Sequence, residues 1–100
     1  MIRIAEQYGQ QLVLFDEGGH MIETLSLNGG EFLGHTTSYV VIRYQNMIVT
    51  YNENGDQLGN ITLPSDYRIQ SITDSGFCAR TGNILEKYDP YCNYLGPVSV

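Results

Sequence analysis

The chain repeats itself. Sliding its 100 residues by 37 positions lays Arg43-Tyr44-Gln45-Asn46-Met47-Ile48 over Arg80-Thr81-Gly82-Asn83-Ile84-Leu85 without a gap. Tyr51-Asn52 then falls on Tyr88-Asp89, and Leu58-Gly59 falls on Leu95-Gly96. Sliding by 36 brings up an earlier copy: Leu12-Val13-Leu14-Phe15-Asp16 lies over Ile48-Val49-Thr50-Tyr51-Asn52, and Gly19 lies over Gly55. The shared unit is apolar-x-x-aromatic-Asp/Asn-x-x-Gly-x-x-Leu/Ile, with Cys92 in place of the glycine in the last copy. The copies span about residues 1–33, 34–70 and 71–100, and the first begins partway through its unit. Repetition of this kind is built from one supersecondary unit stacked on its neighbours.

Each unit reads as short strands joined by turn chemistry. Ser38 to Arg43 is rich in Val and Ile, and Met47 to Tyr51 follows after only a few residues. Two β-prone runs that close together form an antiparallel hairpin. Asn52-Glu53-Asn54-Gly55-Asp56 is the strongest turn, because Asn-Gly supplies the positive φ angles that tight turns require. Gln57 to Leu63 is expected as a third strand, and Tyr67 to Ile72, after Pro64-Ser65-Asp66, as a fourth. No stretch sustains a 3.6-residue period, and Gly or Pro recurs about every ten residues, so the chain is expected to be all-β.

The strands are apolar on both faces. Val40 and Ile42 alternate with Val41, and Ile48 adjoins Val49. A strand apolar on both sides is packed on both sides. The unit Ile48-x-x-Tyr51-Asn52-x-x-Gly55-x-x-Leu58 resembles a short β-propeller-type repeat. It is also similar to the tyrosine–aspartate repeats of large bacterial toxin shells, matched by Tyr88-Asp89, Tyr51-Asn52 and Phe15-Asp16. The resemblance implies about three four-stranded, blade-like antiparallel units; it bears on architecture and not on activity. Propellers need about four to eight blades. Three units are therefore expected to close either by oligomerisation or about a pseudo-threefold axis.

Charge narrows the partners. Eleven acidic residues against five basic ones give a net charge of −6. The basic residues are scattered singly, without the clustered footprint that nucleic-acid or anionic-membrane binding requires. The N-terminus lacks the layout of a signal peptide, and no apolar run has the length of a spanning helix, so a cytoplasmic protein is expected. Cys78 and Cys92 are too few for a disulfide framework or a closed zinc site, and are expected to be free thiols rather than one disulfide.

The residues offer no catalytic constellation, no metal ligands and no cofactor motif. Tyr51 and Tyr88 share a repeat position with Phe15, which predicts packing between sheets, whereas Tyr91 and Tyr94 are better surface candidates. Arg43 and Arg80 also recur, as expected of residues that cap strand ends or pair with carboxylates. His20 matches Asp56 and Asn93 at a polar turn position, and His35 is expected in a connection. Both chain ends are apolar, which places Ile2, Ile4, Val98 and Val100 at an expected subunit interface. The expectation is a non-enzymatic homo-oligomer that binds or assembles through protein–protein contacts. A small lectin-like carbohydrate binder and an acidic inhibitor or immunity-type protein are the alternatives.

Overall fold

The computed structural model describes residues 1–98, which form eleven β-strands and no helix. The first sheet holds β1 (Ile4–Tyr8), β2 (Gln11–Phe15) and β3 (Met21–Ser26). The middle sheet holds β4 (Glu31–His35), β5 (Tyr39–Tyr44), β6 (Met47–Asn52) and β7 (Gln57–Thr62). The third holds β8 (Arg68–Thr73), β9 (Gly76–Thr81), β10 (Ile84–Tyr88) and β11 (Tyr94–Pro97). Each sheet is an antiparallel meander, and none closes on itself.

The repeat is written in the backbone. A bulge falls between Leu14 and Phe15, between Thr50 and Tyr51, and between Lys87 and Tyr88, the same position in each unit. The turn that follows is also the same three times. Asp16 Oδ1 accepts from the N–H groups of Gly18 and His20, both at 2.9 Å. Asn52 Oδ1 accepts from Asn54 at 2.9 Å and Asp56 at 3.0 Å. Asp89 Oδ1 accepts from Tyr91 and Asn93, both at 2.9 Å. The recurrent Asp/Asn thus satisfies turn N–H groups that would otherwise need water. At the glycine position of this turn Gly19 and Gly55 have φ of +80° and +82°, and Cys92 adopts +66°.

Two strand assignments differ from the sequence expectation. The segment expected as the last strand of the second unit is β8, the first strand of the third sheet. Residues 63–67, with Pro64, carry the chain across to the next sheet, whereas β8 and β9 are joined by a two-residue turn at Asp74-Ser75. His35, expected in a connection, ends β4 and pairs in register with Val40. The sheets therefore divide the chain at residues 27–30 and 63–67, a few positions before the copy boundaries drawn from the repeat. The first unit lacks the leading strand supplied elsewhere by β4 and β8, so β1 is a sheet edge, as its partial copy implies.

The sheets stack, with the middle one covered on both faces. Val40 and Ile42 meet Leu12, Leu14 and Leu25 of the first sheet. Tyr39, Val41 and Ile48 meet Phe77, Ala79 and Tyr88 of the third. The one-residue alternation along β5 thus feeds two separate cores, as the two-sided apolar pattern predicts. Full burial of each Val or Ile contributes about 1.5–3 kcal/mol, so the middle sheet is the anchor of the fold.

Candidate functional site

Every sheet has a leading face, turned toward the preceding sheet, and a trailing face, turned toward the following one. Among the described residues, two of the six faces have nothing over them: the leading face of the first sheet and the trailing face of the third. These are the candidate interaction surfaces.

On the first sheet, Ala5, Leu12 and Leu14 point into the core. Strand alternation then places Ile4, Val13 and Phe15 on the outside. The register sets Ile4, Phe15 and Met21 in one row across the three strands, with Glu6, Val13 and Thr24 in the next. Ile4 is 45% exposed and Met21 65%. Their repeat counterparts behave differently. Val40 and Phe77, which stand where Ile4 stands, are both 0% exposed. Tyr51 is half-buried against the first core and Tyr88 is buried and stacked on Phe77 at 5.5 Å, so the shared aromatic position packs between sheets. Phe15 holds that position on a face with no sheet over it.

On the third sheet, Phe77 and Ala79 point into the core, which places Cys78 and Arg80 on the opposite side. Cys78 lies opposite Lys87, and Arg80 lies opposite Leu85. Leu95 is 55% exposed, whereas its counterpart Leu58 packs on the second core. Leu85 is half-buried, whereas its counterparts Ile48 and Leu12 are fully buried.

The four positions expected at an interface fall in different places. Ile2 belongs to the intrachain core rather than to an exposed edge. Its N–H donates to the Thr37 carbonyl at 2.8 Å and the Arg3 N–H to Phe15 at 2.8 Å, which turns the Ile2 side chain inward ahead of β1. Ile4 is on the uncovered leading face. Val98 is half-buried and donates its N–H to the Leu85 carbonyl at 2.8 Å. Val100 lies outside the described residues.

The recurring arginines are turn braces. Arg43 Nε donates to the Gln45 carbonyl at 3.0 Å, and Arg80 Nε donates to the Gly82 carbonyl at 3.1 Å. Arg43 also lies over the Tyr67 ring, 4.5 Å from its centroid. It borders a groove of about 530 Å³ between β4 and β8, lined by Glu31, His35 and Arg68 among others. A second groove of about 390 Å³ is lined by Asp66, Arg68 and Arg80. Each groove mixes acid and base, so neither presents one sign of charge to a ligand.

Sequence reasoning placed Tyr91 and Tyr94 at the surface, and they are 59% and 53% exposed. Tyr94 nevertheless leans on Tyr88, with ring centroids 5.6 Å apart. Cys78 and Cys92 are free thiols, Cys78 on the trailing face of the third sheet and Cys92 buried in the core from the turn between β10 and β11. Burial raises the Cys92 thiol above its ordinary value, partly offset by the hydrogen bond to Thr50. The uncovered faces themselves were not named from sequence, although the repeat contained the signal: Ile4, Phe15, Cys78, Leu85 and Leu95 hold positions that are apolar or aromatic in every copy, and among the described residues the end sheets lack a neighbour on one side.

No family model, curated protein or solved structure matches the chain.

Proposed function

We propose that the protein is a non-catalytic assembly module, working through protein–protein contacts at its two uncovered end faces. Its sheets act as propeller-type blades, and the stack is completed by further sheets rather than capped. The observation that carries this reading is the contrast at one repeat position: Ile4 is 45% exposed where Val40 and Phe77 are 0%. Repeat proteins that stop at a free end need a polar outer surface on the terminal unit for solubility. Here the terminal units keep the apolar residues of interior ones. Ile4 and Met21 are exposed on either side of the half-buried Phe15, and contiguous apolar surface rimmed by charge is a feature of interaction sites.

Cross-linking of the native chain in an extract of the cells that make it, read by mass spectrometry, tests the proposal. Protein contacts are expected on the outer side of β1–β3 or around Lys87. A chain that binds soluble glycans through Tyr91 and Tyr94, with no protein contact reaching either end face, would overturn it in favour of a lectin-like role.

A further inference from the structure

We propose that the occupant of each end face is a second copy of this chain, docked head to tail, so that two copies complete a ring of six sheets. The inference rests on the assembly reading above and names its partner.

The two internal interfaces already use one set of positions. The trailing face of the middle sheet, through Val41, Ile48 and Leu58, packs on Phe77 and Tyr88 of the third. The trailing face of the first, through Ala5, Leu12 and Ile22, packs on Val40 and Tyr51 of the middle. Advancing one unit gives the next interface in the series: Cys78, Leu85 and Leu95 of one copy on Ile4 and Phe15 of another. Both surfaces are uncovered, and each holds the residue types that its counterparts bury. A face that matches a different face of the same molecule makes a heterologous contact, and such contacts generate closed rings when the rotation permits. β4 and β8 approach one another along one side of the stack, the relation expected of inner strands around an axis.

One polar contact can be followed through the same step. The Thr50 hydroxyl donates to the Pro90 carbonyl at 2.6 Å, across the interface between the middle and third sheets. The residue one unit after Thr50 is Lys87, and the residue two units before Pro90 is Glu17. Head-to-tail docking therefore sets the chain's single lysine, which donates to Ser75 Oγ at 3.0 Å in its own chain, beside the main-chain carbonyl of Glu17 of the other copy, a residue of opposite charge. Glycines stand where the adjoining backbone approach would recur. Gly59 faces Tyr91 so closely that a Cβ there would lie 2.1 Å from the Tyr91 carbonyl oxygen. The corresponding pair is Gly96 and Gly18, and the space beside Gly96 is open. Gly96 also has φ +127°, so its own backbone requires glycine as well.

Sedimentation equilibrium of the wild-type chain, Lys87→Glu, Glu17→Lys, and an equimolar mixture of the two variants tests the proposal. Lys87→Glu and Glu17→Lys should each weaken dimerisation roughly tenfold or more. The mixture should restore it, because each interface regains one lysine and one glutamate. Leu95→Arg, at an exposed position that tolerates charge, should also weaken it, with circular dichroism confirming an intact fold. A wild-type dimer of twice the 11.2 kDa chain mass with these responses supports the proposal. A dimer indifferent to all three substitutions overturns head-to-tail docking but leaves the assembly reading standing. A wild-type monomer at several hundred micromolar overturns the proposal, and if cross-linking also finds no protein partner, the assembly reading falls with it.

Discussion

The Thr50 hydroxyl, fully buried, donates to the Pro90 carbonyl at 2.6 Å and lies 3.8 Å from the Cys92 sulfur. It ties β6 to the turn after β10 and thereby sets how the third sheet sits on the middle one. Thr50→Val keeps the shape and removes the donor. Leaving a largely sequestered carbonyl without its partner costs about 1–3 kcal/mol. Urea unfolding should show a lower midpoint at unchanged slope, the sign of lost stability with the same surface exposed.

Gly59 is the tightest approach between the same two sheets. An alanine Cβ would lie 2.1 Å from the Tyr91 carbonyl oxygen, a backbone atom that cannot swing aside. Gly59→Ala should destabilise by about 1–3 kcal/mol, the usual cost of forcing extra volume into a packed contact. The loss should appear in chemical denaturation. An unchanged midpoint would mean that the sheets are set farther apart.

The first hairpin position of each unit has positive φ: Gly9 at +61°, Gln45 at +56° and Gly82 at +60°. A side chain there costs roughly 1–2 kcal/mol. Gln45→Gly should therefore raise stability by about 0.5–1 kcal/mol after the added backbone entropy of the unfolded chain. The Gln45 carbonyl that accepts from Arg43 and Tyr67 is unaffected by the change. Gly82→Ala should lower stability by about 1 kcal/mol by the same reasoning, since nothing lies within 4 Å of the new Cβ. Equal thermal midpoints for the two variants would contradict this account.

Hydroxyls of Thr36, Ser38 and Thr37 surround Asp74 and hold its carboxyl below the ordinary value of 3.8. Thr37 and Ser38 each donate to Asp74 Oδ1 at 3.2 Å, linking the β4–β5 turn to the β8–β9 turn. A carboxylate favoured by folding contributes stability in full above its unfolded value. That contribution is lost as pH falls below about 3.8 toward the depressed folded value. The stability gap between wild type and Asp74→Asn should therefore be constant from neutral pH down to about 5 and narrow below about 4. Denaturation midpoints of both proteins across that range measure it.

Much of this architecture was readable from one-dimensional pattern. Alternation along Val40-Val41-Ile42 announced a strand packed on both faces, because side chains two apart share a face whatever the strand pairs with. The Asp/Asn-x-x-Gly spacing at Asp16 and Asn52, matched at Asp89 with Cys92 in place of the glycine, announced like turns, because a carboxylate or amide reaches only N–H groups two to four residues on. The shortened first copy announced an edge at β1. These inferences depend on neighbours in the chain, and local chemistry is sufficient for them.

Membership of a sheet is not local. Nothing near Arg68 distinguishes a last strand of one unit from a first strand of the next. That choice depends on pairing with β9 and on the span of residues 63–67. Which apolar faces stay uncovered is likewise a property of the assembled stack. Ile4 and Val40 look alike in sequence, and what separates a surface residue from an interior one is the sheet lying over Val40 and the strand β4 beside it, neither of which Ile4 has.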